Sequence, residues 1–149
     1  MVIETLKTLY ARDLNKLKSE IEAYKSEDAI WKKSNEIPNS AGNLTLHLMG
    51  NLNAFIGAEI GKTGYIRQRD LEFSTEFELR NDLIKRIEDV INIVDSTLSA
   101  ISAEDLEKEY PLVVFQDKMT TGFFLIHLAT HLSYHLGQIN YHRRLLDEG

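Results

Sequence analysis

An all-α fold, built as a four-helix bundle, is the architecture this sequence predicts. Three observations lead there. Apolar residues recur at threes and fours through four long stretches. Only two prolines, Pro38 and Pro111, occur in the chain, and both fall between those stretches. With 149 residues the chain suits one domain around a single core, so residues 1–149 are read as one unit. Long helices in a chain of this size pack as a bundle, and bundle interiors commonly host metal sites.

The first helix is placed from Ile3 to Tyr24, where Leu6, Leu9, Tyr10, Leu14, Leu17, Ile21 and Tyr24 mark one face. The charged connector after it, "KSEDAIWKKSNEIP", holds the single tryptophan, Trp31, read as a packing plug rather than a ligand-binding residue. A second helix opens past Pro38 with Asn39 or Ser40 as its N-cap and ends at Gly61. It is apolar nearly all round, which buries it on most sides. Its polar exceptions, Asn43, His47 and Asn51, are four apart and share about 80° of arc. Such a stripe in a buried helix needs a partner. The loop "GKTGYIRQRDLEFS" leads to a third helix placed from Thr75 to Ala100, with Phe77, Leu83, Ile84, Ile87, Val90, Ile91 and Val94 inward. That link of roughly 13 residues is long enough for a crossover. Between Ser102 and Thr121 the periodicity weakens, and "YPLVVF" reads as a short extended piece. The last helix runs from Thr121 to Leu146, capped by Thr120 or Thr121.

Composition narrows the function classes. A formal net charge of −6, with 17 basic residues in no long run, argues against a nucleic-acid partner, whose phosphates require clustered Lys and Arg. Neither a signal peptide nor an apolar run of membrane-spanning length is visible, so the expected setting is cytoplasmic. Cysteine is absent, which removes disulfides, thiolate ligands and a cysteine nucleophile. Any sulfur chemistry would use a borrowed thiol.

Four of the five histidines lie in "HLATHLSYHLGQINYH", residues 127–142. Relative to His127, the helical positions of His131, His135 and His142 fall at about 40°, 80° and 60°, and Gln138 at about 20°. Imidazoles four apart on a helix can share one ion. His127 and His142, roughly 22 Å apart along the axis, cannot reach the same one. Two neighbours from this helix and His47 from the second would make a three-histidine site with a position open to water or substrate, the arrangement of catalytic zinc centres. Spacing alone leaves two pairs equivalent, 127 with 131 and 131 with 135. The remaining histidine, Gln138, Asn43 and Asn51 are candidates to orient the ligands. No glutamate stands between the paired histidines as in zincins, so a base would be His127, a metal-activated hydroxide, or a loop carboxylate such as Asp70 or Glu72.

"HLATHLSYHLGQI" resembles the C-terminal signature of the DinB-like, damage-inducible metal-binding four-helix bundles, and "GNLTLHLMGNLNAFI" is similar to their second-helix block. "GYIRQRDLEF" resembles the loop that follows in one uncharacterised branch. Leu136 stands where the family often has arginine. The resemblance implies an up-down-down-up bundle with a long crossover between helices two and three, commonly a homodimer. It matches the family's metal histidines to His47, His131 and His135, and leaves His127 beside the site. It also implies relatives among bacillithiol-dependent thiol transferases, a mycothiol-dependent isomerase and metal-dependent hydrolases.

The expected function is therefore that of a divalent-metal protein, with zinc or nickel as the ion, acting as a thiol S-transferase on a small electrophile. Tyr65, Arg67 and Arg69 are candidates to meet an acidic thiol or substrate. The alternatives are a hydrolase using metal-activated water, and a bundle in which the metal has no catalytic role.

Overall fold

The computed structural model of the protein describes residues 1–148. Six helices account for most of them: α1 (Val2–Ala23), α2 (Ala41–Leu52), α3 (Arg69–Ser74), α4 (Arg80–Ala100), α5 (Ala103–Glu107) and α6 (Thr121–Leu146). A 3-10 turn spans Asp28–Trp31. Among the described residues there is no strand, only the isolated bridges Ser34–Ile37 and Glu109–Thr120. None of these helices is long and apolar enough to cross a membrane.

Each of α1 and α2 packs against both α4 and α6. The apolar face read for α1 is the buried one: Leu6, Tyr10, Leu14, Leu17 and Ile21 all enter the core. Tyr10 also donates its hydroxyl to the Leu125 carbonyl at 2.6 Å, tying α1 to α6. Every residue of α2 is buried, in keeping with its all-round apolar composition, and Ser40 caps it by accepting from the Asn43 N–H. Trp31 closes one end of the core, lying over Gly42, where a Cβ would meet the indole ring at 2.5 Å.

Beyond Leu52 the second helix does not continue as a regular α-helix to Gly61. It widens into a π-turn over Asn53–Ala58. Here the Glu59 N–H reaches back to Ala54 and the Ile60 N–H to Ile56. The Phe55 carbonyl between them accepts the Tyr110 hydroxyl at 2.6 Å. Widened turns of this kind often lie at functional sites, and apolar periodicity carries no mark of them.

Two further segments differ from expectation. The third long helix starts at Arg80, not Thr75, because the chain ahead of it is held elsewhere: the Asn43 side-chain amide donates to the carbonyls of Glu72 and Thr75 at 3.0 and 2.7 Å. The loop thereby acquires its own helix, α3, and Phe77 is 47% exposed instead of inward, with its ring near Trp31. In the 102–120 segment, Ser102 and Asp105 form a capping box that starts α5. "YPLVVF" is irregular: Tyr110 is buried and its N–H pairs with the Met119 carbonyl, while Leu112, Val113, Val114 and Phe115 face outward. The two adjacent valines, Val113 and Val114, have no neighbouring strand to pair with among the described residues.

Candidate metal centre

His47 sits in the middle of α2, and His131 and His135 lie one turn apart on α6 where the two helices pack. Their Nε2 atoms converge. His47 Nε2 lies 3.3 Å from His131 Nε2, and His135 Nε2 lies 3.2 Å from His131 Nε2. One nitrogen from each ring lies within 4.8 Å of the others, and among the described residues this is the group able to hold a metal ion.

The opposite ring edges fix the protons. His47 Nδ1 faces Glu72 Oε1 at 3.1 Å, and His135 Nδ1 faces Gln138 Oε1 at 2.7 Å. Oxygens of this kind accept, which favours the hydrogen on Nδ1 in both rings and a lone pair on Nε2; at His47 the Glu72 oxygen is nearer to Nδ1 than the Arg67 Nη2 donor at 3.3 Å. His131 Nδ1 is buried with no partner among the described residues. The lone pairs of His47 and His135 both face His131 Nε2, whose single hydrogen can meet only one of them, whereas a cation seated among the three rings meets all. An ion bonded to nitrogen at about 2.0–2.1 Å in tetrahedral geometry separates its ligand nitrogens by about 3.3 Å, which is the spacing of the His47–His131 and His131–His135 pairs. The donor set fits a divalent ion.

The electrostatics agree. Burial, then the neighbouring His135, His47 and His127 rings, and then Arg67 push the His131 imidazole down to about 4. Burial likewise lowers His135, against the pull of its Gln138 hydrogen bond. Both rings are therefore neutral near pH 7 and ready to ligate. Glu72 is buried, which by itself would raise its carboxyl, but hydrogen bonds from His47 and Arg67 outweigh that and hold it below the usual glutamate range.

The other sequence candidates take varied places. Gln138 holds His135, and Asn43 holds the α3 backbone without touching a histidine ring. Asn51 is buried with its Oδ1 unpartnered among the described residues. Arg67 is turned inward, donating to Glu72 through Nε and Nη2 at 2.9 Å each and lying over the Phe55 ring. Arg69 is exposed, over Phe73, whose own ring is 5.0 Å from that of His47. Tyr65 is half-exposed and lines a cavity of about 300 Å³ together with Gly50, Glu72 and Arg86. His127 stands apart from the converging nitrogens, stacked on Phe124 at 6.0 Å and meeting Phe115 edge-on. Of the two loop carboxylates, Asp70 is exposed, and Glu72 has both oxygens engaged.

His142 is 2% exposed and belongs to a separate network. Its Nε2 donates to the Lys32 carbonyl at 2.8 Å, and its Nδ1 accepts from the Tyr24 hydroxyl at 2.7 Å. It shares the stripe of the metal histidines but lies further along α6, where the stripe faces α1 and the connector. Phe55 and Phe73 were missed as neighbours of the site, since nothing in their spacing distinguishes them from core aromatics.

A model of the family described as "Protein of unknown function (DUF1572)" matches residues 3–149. No curated protein matches the chain.

Proposed function

Since the chain belongs to the DUF1572 family, a DinB-like family, we propose that it binds one divalent ion, zinc or nickel, through His47, His131 and His135 and works as a thiol S-transferase. The observation that carries the reading is the convergence of the three Nε2 atoms, with those of His47 and His135 lying 3.3 and 3.2 Å from that of His131. Three protein ligands leave a position open. When bound, the ion supplies Lewis acidity there, lowering the pKa of a small thiol or of water.

The chain's own groups favour the thiol over water. General-base hydrolysis needs a free carboxylate or imidazole beside the ion, but Glu72 is fully engaged and His127 is packed between Phe115 and Phe124. The thiol comes from a low-molecular-weight cosubstrate, because the chain has no cysteine. In this reading Arg69, exposed beside Phe73 at the start of α3, meets an anionic group on that cosubstrate, and Tyr65 and Arg67 precede it in the loop. A cytoplasmic setting, where such thiols are kept reduced, completes the reading.

Contacts support the up-down-down-up bundle. Tyr10 meets Leu125 and Tyr24 meets His142, so α1 and α6 run the same way. His47 meets His131 and Phe55 meets Phe124, so α2 opposes α6. Gly57 lies against Ile93 and Gly61 against Thr97, so α2 and α4 run together, joined by the long crossover that carries α3. A homodimer is part of the proposal, with the exposed Phe123, Ile126, Tyr134 and Tyr141 of α6 as the covered face; light scattering tests it.

The deciding assay follows loss of a model electrophile with the zinc- and nickel-loaded protein, with and without a panel of small thiols. Thiol-dependent turnover that disappears in His131→Ala supports the transferase. Thiol-independent turnover of esters, amides or phosphates selects the hydrolase, and metal binding with no turnover of any kind selects a non-catalytic ion.

A further inference from the structure

The polar stripe of α2 finds its partner in the loop that follows, and the contact reaches a metal ligand. We infer that Glu72 is the positioning residue for His47, that Arg67 clamps it there, and that Gly50 is the gap in α2 that admits it. The inference rests on the metal-binding reading above and adds to it a dependence of the ion on the 62–75 loop.

Glu72 is 5% exposed, an unusual place for a carboxylate, and its oxygens are fully assigned. Oε1 accepts from His47 Nδ1 at 3.1 Å and from Arg67 Nη2 at 2.9 Å; Oε2 accepts from Arg67 Nε at 2.9 Å. Arginine alone would neutralise the charge. The third bond, to the imidazole, keeps the proton on Nδ1, turns the ring so that Nε2 faces His131, and makes that nitrogen a stronger donor. A carboxylate with no free oxygen does not shuttle protons, so its effect on the reaction passes through His47.

Access for Glu72 depends on α2. A Cβ on Gly50 would land on Glu72 Oε2 and against its Cδ. On the same face, one turn before His47, Asn43 is oriented by Ser40 Oγ at 2.7 Å and grips the α3 backbone through the carbonyls of Glu72 and Thr75. Positions 43, 47 and 50 thus receive the loop, seat the ion and leave room for the carboxylate that joins them. Docking of the loop and tightness of the ion become a single equilibrium.

The test compares the full-length wild type with Glu72→Gln, Gly50→Ala and the exposed-site control Asp70→Asn. Two quantities are read: zinc affinity, by competition with a chromophoric chelator, and the His47 tautomer of the metal-free protein, by long-range proton–nitrogen correlation. Expected are a roughly 10–100-fold loss of zinc affinity in Glu72→Gln and Gly50→Ala, a His47 ring no longer held as the Nδ1–H form in either, and no change in Asp70→Asn. A merely structural glutamate would lower the melting temperature and leave the tautomer and the affinity of the folded fraction alone. Folded Glu72→Gln with wild-type affinity and tautomer overturns the inference; should that variant not fold, the same result in Gly50→Ala does so. Wild-type protein that binds no zinc or nickel overturns the metal reading and this inference together, whereas wild-type binding with unaffected variants overturns this inference alone.

Discussion

Tyr24 and His142 meet across 2.7 Å in the core, the phenol donating to Nδ1 of an imidazole whose other nitrogen is committed to the Lys32 carbonyl. The pair joins α1, the connector and the last turns of α6. Replacing His142 with leucine leaves a buried hydroxyl and a carbonyl without their partner, so the variant should lose about 1–3 kcal/mol in urea unfolding. Zinc affinity should stay at the wild-type value, since this network is separate from the three converging nitrogens. A large loss of metal binding in the folded variant would contradict that separation.

Acid should destabilise the metal-free protein. Burial lowers the His142 imidazole, and burial with neighbouring imidazoles lowers His131 to about 4. The unfolded chain takes up these protons near pH 6.5, so from there down to about 4 it binds more protons than the folded chain. Stability therefore falls as pH falls through this window. Below it Glu20 and Glu72, both held low by hydrogen-bonded partners against the effect of burial, act in the same direction. Calorimetric melting with chelator present should show the decline; a melting temperature independent of pH between 7 and 4.5 would refute the assignment of neutral buried rings.

Metal should raise the melting temperature and chelator should reverse the rise. Free zinc at 100 times its dissociation constant adds about 2.7 kcal/mol, which for a domain of this size is a shift of about 5–10 °C. Differential scanning calorimetry reads it directly.

His131→Ala should have opposite consequences in the two states. With metal withheld, the change removes a ring that has an unpartnered buried nitrogen and whose other nitrogen faces two acceptors with at most one hydrogen to offer. Its melting temperature should then match or exceed that of the wild type. With zinc added, the stabilisation of the wild type should be missing. Equal loss of stability with and without zinc would indicate a packing role for His131 in place of ligation.

Gly42→Ala tests the seat of Trp31. The added methyl would lie 2.5 Å from the indole, too close for the ring to remain where it is. Overpacking of this kind costs about 1–3 kcal/mol, and tryptophan fluorescence should shift to the red as the ring moves toward water.

The long helices α1 and α4 are legible in the sequence because their buried faces repeat with a regular period, and α2 because it is apolar nearly all round. For α6 the N-cap threonine, the start at Thr121 and the end at Leu146 can all be read from residue type. His47 was visible as a polar exception in an apolar helix, and His131 as the ring common to both spaced pairs. What spacing did not provide was the choice between His127 and His135, since both lie four residues from His131; the difference arises from Phe115 and Phe124 around the one and Gln138 beside the other. Glu72 appeared as a loop carboxylate and a candidate base. Its actual surroundings depend on Gly50, Arg67 and His47, which come together only by tertiary contact. The start of α4 was misplaced for the same reason: Asn43, thirty-two residues before Thr75, decides where the chain is held.

The π-turn after Leu52 has a consequence for how this chain tolerates length changes. A π-turn takes up one extra residue in a single wide turn, so the helix keeps its phase on either side of it. His47 and Gly50, ahead of the turn, keep one phase relative to α6 and the loop. Gly57 within it and Gly61 beyond it hold the phase that seats them against Ile93 and Thr97. Deleting a single residue between 53 and 58 would restore a regular helix and leave no atom of the site missing. It would also leave both halves facing their present partners, so the wide turn is the one place where this helix can give up a residue without turning the site away.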